Sequence, residues 1–132
     1  MKRIMKYALL VVRNNRMLLQ EEKGENLLLM PGGKPRKGED YIKCIRREIK
    51  EELNSEVKEG SIRPLGKFED IAADGKSILT AELYIGELAK APRPGKEVKK
   101  IVWFGAGNDL TKLSPVIRNK IIPYLQAVRL IK

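Results

Sequence analysis

The sequence predicts an α/β fold in which a mixed sheet is covered by helices. Three observations carry that prediction. Short apolar runs bounded by turn residues alternate with two stretches of helical periodicity, in the order strands, helix, strands, helix. The first helical stretch places an apolar stripe and a row of glutamates on separate faces. The 132 residues suit one domain, residues 1–132, with one modest hydrophobic core.

The elements follow in chain order. KYALLVV, residues 6–12, reads as a buried strand. Asn14 and Asn15 offer a tight turn into RMLLQ, residues 16–20, a second strand. EEKGE, residues 21–25, reads as a solvated loop, and NLLLM, residues 26–30, as a third short strand. PGGKPRKGE, residues 31–39, is too rich in glycine and proline for regular structure. Asp40 to Leu53 reads as a helix, with Ile42, Ile45, Ile49 and Leu53 at helical spacing and Asn54 able to end it. Two or three strands follow, with a turn at Asp74 and Gly75. AKAPRPGKEVKK, residues 89–100, reads as a loop, and IVWF, residues 101–104, as a short strand. The closing helix starts at Pro115 with Ser114 as N-cap, and Pro123 is positioned to kink it.

Composition narrows the chemistry. The net charge of +10 draws nucleotides, nucleic acid or an anionic membrane without choosing among them. Aromatic residues are few, which argues against a stacking surface for single-stranded nucleic acid, and no nucleic-acid-binding motif is present. Cys44 is the single cysteine and histidine is absent, which excludes an intrachain disulfide, cysteine–histidine zinc sites and histidine-based triads. A metal ion would be held by oxygen, which points to Mg²⁺ or Mn²⁺. Cys44 reads as a partly buried filler. The basic start MKRIMKYALLVV is interrupted at Arg13, too early for a signal peptide, and no stretch approaches a membrane span. The cytoplasm is the expected location, with no membrane partner.

EIKEE, residues 48–52, crowds three glutamates into little more than one helical turn. At about 100° per residue, Glu51 and Glu52 fall on either side of Glu48 while Ile49 and Leu53 point away. The carboxylates can line a cleft while the stripe is buried. Taken alone, the stretch reads first as a solvated face balanced by Lys43, Arg46, Arg47 and Lys50, since carboxylate clusters on surface helices are common.

Its surroundings favour the cleft. Five residues separate Gly33 from Glu39, and seven more separate Glu39 from REIKEE, Arg47 to Glu52. This pattern closely resembles the signature of the Nudix hydrolases, the MutT-like enzymes, through Gly33, Glu39, Arg47, Glu48, Ile49, Glu51 and Glu52. Two positions depart from it. Asn54 stands where a glycine is usual, and asparagine tolerates the left-handed backbone needed there. Ser55 stands at an aliphatic position and weakens a packing contact.

The resemblance implies a Nudix-type α-β-α sandwich with a mixed sheet and a catalytic helix. It also implies metal-dependent hydrolysis of a diphosphate linkage in a nucleotide or nucleoside diphosphate derivative. Carried over residue by residue, Glu48, Glu51 and Glu52 are metal ligands, joined by the Gly32 carbonyl. Glu52 is closest to the nucleophilic water. Arg47 orients carboxylates, Glu39 among them, and Glu39 is structural, as is Gly38. A further carboxylate from the loop before the last sheet strand is Glu97, ahead of Asp109 and Glu82. Gly33, Lys34 and Lys96 are candidate substrate contacts. Lys34, Arg36 and Lys37 beside the glycine loop, and Lys90, Arg93, Lys96, Lys99 and Lys100 near Glu97, would draw in a polyphosphate. Tyr7, Trp103 and Phe104 are core or pocket wall. Many relatives are dimers, which leaves a homodimer open.

Marks of the ADP-ribose, dinucleoside polyphosphate and NADH subclasses are missing from the sequence. What remains resembles the small nucleoside triphosphate pyrophosphohydrolases, some of which remove oxidised nucleotides. KLSPV offers Leu113 and Ser114 where those often carry a purine-reading asparagine. An ADP-ribose or other nucleoside diphosphate derivative pyrophosphatase, and a non-catalytic nucleotide-binding domain, are the alternative readings.

Overall fold

The computed structural model describes residues 1–132. The elements are β1 (Arg3–Leu10), β2 (Val12–Arg13), β3 (Arg16–Glu22), β4 (Leu28–Leu29), β5 (Gly32–Gly33), α1 (Tyr41–Leu53), β6 (Arg63–Ile71), β7 (Ile78–Ile85), β8 (Val98–Phe104) and α2 (Ile122–Ala127). One sheet has the order β5-β1-β7-β6, with β1 and β7 parallel and the other pairs antiparallel. The other is centred on β3, which pairs antiparallel with β2, β4 and β8.

Strand alternation assigns side chains to two apolar layers. Ala8, Leu10, Met17, Leu19, Ala81 and Leu83 join the closing helical segment, Ile117 to Leu125. Leu9, Val11, Leu18 and Tyr84 join Ile45, Ile49 and Leu53 of α1 on the other side. The mixed β layer therefore lies between two helical layers, giving the expected α-β-α sandwich.

Several local expectations change. The first strand begins at Arg3 and stops at Leu10. β3 runs on through Glu21 and Glu22, because both pair with β8. Only Leu28 and Leu29 of NLLLM form a strand. Gly32 and Gly33 pair with Ala8 and Tyr7 of β1, so the glycine loop does contain regular pairing. A Cβ on Gly32 would collide with the Tyr7 carbonyl, and its φ of +141° favours glycine. Asp40 lies outside α1 as its N-cap, accepting from the Lys43 N–H at 2.8 Å. Ile42 is 38% exposed, and the fully buried Cys44 completes the stripe instead. Asn54 ends the helix in the left-handed region as expected, with φ 48°.

Strand β8 starts at Val98, inside the expected loop. In the closing segment the Arg118 N–H bonds the Ser114 carbonyl at 3.0 Å, then Ile117–Ile121 form a π-helical turn before α2. Pro123 accounts for that wide turn. Its ring has no N–H to give to the preceding turn, and the Ile122 N–H reaches back to the Ile117 carbonyl. No helix is long and apolar enough to cross a membrane.

Candidate active site

Helix α1 buries Ile45 and Ile49 against the sheet, and this turns Glu48, Glu51 and Glu52 toward the end of β3. Those three glutamates, with Glu22, Lys96 and Glu97, line one open cleft that contains no hydrophobic side chain. The structure thus brings together four of the acidic residues singled out in the sequence. It adds a fifth, Glu22, from a segment read as solvated loop.

Arg47 organises the mouth of this cleft. Its Nε and Nη2 donate to the two Glu39 oxygens at 2.7 and 2.9 Å, and its Nη1 donates to Glu48 Oε1 at 2.6 Å. A second Nη2 bond reaches the Lys34 carbonyl at 3.2 Å. The rigid guanidinium fork makes several directed bonds at once, which a lysine cannot do. It holds the Glu39 carboxyl at about 2, with help from the Arg36 N–H, while its own proton is held more tightly than usual. Burial raises the Glu48 carboxyl above its ordinary value, against the lowering effect of Arg47. Gly33 leaves room for this arrangement, since a Cβ there would lie 2.7 Å from the Glu48 carboxyl carbon.

Glu52 is held from below. Its Oε1 accepts the Gly32 N–H at 3.0 Å and its Oε2 accepts Gln20 Nε2 at 2.9 Å. Burial nevertheless dominates and pushes its carboxyl up to about 8. Glu51 is looser, with 40% of its side chain exposed and Arg36 and Arg47 each 3.5 Å away.

The loop before β8 is fastened to the C-terminus of α1. The N–H groups of Arg93, Gly95 and Lys96 donate to the carbonyls of Leu53, Glu52 and Glu51, at 2.8, 2.7 and 2.9 Å. These carbonyls have no partner within the helix, so the loop satisfies them. Gly95 permits the approach, because a Cβ would strike the Glu51 carbonyl. Asn54 Nδ2 donates to the Pro94 carbonyl at 3.1 Å, and the buried Ser55 hydroxyl donates to Lys90 at 2.6 Å. Ser55 therefore replaces an apolar contact with a hydrogen bond. The docked loop delivers Glu97 to the cleft with φ 66°.

Other expected positions fall elsewhere. Asp109 caps a short turn, accepting from the Thr111 N–H at 2.9 Å, and Glu82 lies on β7 near Lys67. Neither lines the cleft. Lys34 is exposed and meets the site through its carbonyl, while Gly38 supplies an open turn with φ +82°. Lys99 pairs with Glu21 at 3.4 Å, leaving Glu97 to the cleft. Cys44 is buried, with its thiol pushed up to about 11, which suits a filler rather than a nucleophile.

Glu22 falls in EEKGE, which the sequence suggests as loop, while Gln20 ends the expected strand RMLLQ with no charge or motif to single it out. A signal was present. Leu18, Gln20 and Glu22 alternate on one face of a strand, and Leu18 on that face is buried under α1.

All cleft acceptors are oxygen, the donor type that suits Mg²⁺ or Mn²⁺. No three carboxylates already converge closely enough to hold an ion, and Glu48 is turned toward Arg47. The donor chemistry fits a hard divalent ion once these side chains turn inward. Beside the cleft, across Glu22 and Gly32, an apolar pocket is walled by Tyr7, Met30, Leu79, Val116 and Ile117.

The description NUDIX domain belongs to the family model that matches residues 3–120. A NUDIX hydrolase from Nitrosomonas europaea superposes with a TM-score of 0.76 at 18% identity, covering 96% of this chain and 90% of that one. The solution structure of the E. coli ORF135 protein gives 0.72 at 23% identity, covering 98% and 94%. The MutT NUDIX hydrolase from Burkholderia pseudomallei gives 0.67 at 24% identity, covering 86% and 88%. At these identities the likeness is one of fold. No curated protein matches the sequence.

Proposed function

The chain belongs to the Nudix hydrolase family, and from that premise we propose that it is a nucleoside triphosphate pyrophosphohydrolase dependent on Mg²⁺ or Mn²⁺. Its products are a nucleoside monophosphate and pyrophosphate, and its role is to clear unwanted nucleotides from the pool. The observation that carries this reading is the pairing of two sites across Glu22. A wholly polar, acidic cleft suits metal-bound phosphates, and the adjoining apolar pocket suits the base.

The Gly32 carbonyl and the carboxylates of Glu48, Glu51, Glu52 and Glu97 would hold the metal. Bound there, a divalent ion supplies charge neutralisation at phosphate oxygens and a more acidic water. Lys96, at the cleft wall, attracts the polyphosphate. Arg47 keeps Glu48 and Glu39 in place. Glu52 accepts a proton as water oxygen bonds to phosphorus and the bridging P–O bond breaks toward the leaving phosphate group. Gly33 allows the loop to lie against the Glu48 carboxyl.

The test is a substrate panel with Mg²⁺ and with Mn²⁺, its products separated by chromatography. It includes common and oxidised nucleoside triphosphates, ADP-ribose, NADH and diadenosine polyphosphates. Monophosphate and pyrophosphate released from a triphosphate are the expected products. Preferential cleavage of ADP-ribose would overturn the substrate class while keeping the glutamate chemistry. Metal binding without cleavage of any member would favour a binding domain.

A further inference from the structure

We propose that Gln20 is a positioning residue whose buried carboxamide clamps Glu52 of α1 and Glu22 of β3 into one preset pair of carboxylates. The inference rests on the hydrolase reading above and extends it to a residue outside the helix and its loop. Gln20 has no exposed surface. Its Nε2 donates to Glu52 Oε2 at 2.9 Å and to Glu22 Oε2 at 3.2 Å, one amide hydrogen for each carboxylate. Together with the Gly32 N–H on Glu52 Oε1, this fixes both oxygens of Glu52 and hence the plane of its carboxylate.

The mount is rigid. Gln20 sits on β3 opposite Leu29 of β4 on one side and Ile101 of β8 on the other, so its backbone is held by strands on both flanks. The helix and strand would otherwise set Glu52 and Glu22 independently.

Folding alone gives no reason for an amide here. Leu18 and Leu19 beside it are fully buried, and an apolar side chain would continue that packing. Gln20 instead leaves its Oε1 buried without a hydrogen-bond partner. Such an atom has left water without gaining a partner, which is unfavourable. A buried amide that leaves one atom unpartnered is explained by the two carboxylates its other end serves.

The test compares Gln20→Met, which removes both donors at similar length, with Gln20→Asn, which keeps a buried amide but withdraws it from Glu52. Three quantities are read on the full chain: Mn²⁺ affinity by electron paramagnetic resonance, kcat and KM on the substrate found by the panel, and the melting temperature. Loss of a partner behind a ligand typically lowers metal affinity or activity about 10–100-fold. Both variants should weaken Mn²⁺ binding by about tenfold and lower kcat by at least about tenfold, with KM within about twofold. Gln20→Met keeps the length but leaves the Glu52 and Glu22 oxygens without their donor, so its melting temperature should fall modestly; a tenfold loss of Mn²⁺ affinity in a still-folded variant is what a packing role would not produce. Mn²⁺ affinity within twofold of the parent in a folded variant would overturn the clamp. If the parent binds Mn²⁺ but cleaves nothing, the hydrolase reading fails while the affinity comparison still decides Gln20. A parent that binds no Mn²⁺ would overturn both.

Discussion

Glu52→Gln separates the burial of this side chain from its charge. The Glu52 carboxyl is pushed from 4.5 to about 8, chiefly by burial. Its folded value lies above the unfolded one, so the unfolded chain releases this proton first as pH rises. The metal-free protein therefore loses stability from about pH 4.5 and has lost the full amount above about pH 8. At about 1.4 kcal/mol per pKa unit the ceiling is on the order of 5 kcal/mol, and water entering the open cleft lowers it. Glutamine keeps the shape, accepts the Gly32 N–H and can donate to the unpartnered Gln20 Oε1 after that amide turns over. Denaturant unfolding with chelator present, at pH 5 and at pH 8.5, should find the two proteins within about 1 kcal/mol at the lower pH. At the higher pH the variant should be more stable by about 2–4 kcal/mol. Turnover should be abolished at both. Glu39 and Glu48 titrate in both proteins, so their direct contributions largely cancel in the comparison. Parallel pH profiles for the two proteins would refute the burial argument, and unchanged turnover would remove Glu52 from the chemistry.

Three further substitutions probe the frame around it. Arg47→Lys cannot reproduce the fork that joins Glu39, Glu48 and the Lys34 carbonyl. It should lose about 2–3 kcal/mol in urea unfolding and more than about tenfold in kcat. Gly33→Ala pushes its Cβ into the flexible end of Glu48. Stability should change by less than about 1 kcal/mol while kcat falls about 10–100-fold, and equal activity would show that Glu48 need not stay there. Gly95→Ala strikes backbone rather than side chain and should undock the loop that caps α1. A loss of about 2–4 kcal/mol is expected, together with faster amide exchange at Arg93 and Lys96, and unchanged exchange would refute the docking argument.

The glutamate helix was legible because its information is local. Ile45, Ile49 and Leu53 mark the buried face by spacing alone, and the carboxylates follow on the other side. Asn14 and Asn15 both adopt positive φ, and the Asp74–Gly75 turn joins β6 to β7 as expected from the residue types. Ile42 fits the same spacing but is exposed. Periodicity marks a face, and only the neighbouring layer decides how far along the helix that face is covered. Gly32 and Gly33 look like breakers in the sequence, although lacking a Cβ is what lets Gly32 pair against β1 and Gly33 lie against Glu48.

The sequence by itself determined the α/β class, the Nudix signature, the acidic face of α1 and an all-oxygen donor set, since these follow from residue type and short-range spacing. Tertiary structure decided which distant groups meet that face. Glu22 arrives because β3 extends under pairing with β8, Gln20 because the strand register sets it beneath Glu52, Glu97 because the loop from Arg93 to Lys96 caps the helix, and Asp109 and Glu82 are carried elsewhere. Such meetings depend on strand register and on satisfying backbone groups across tens of residues, and no local pattern of charge or hydropathy encodes them.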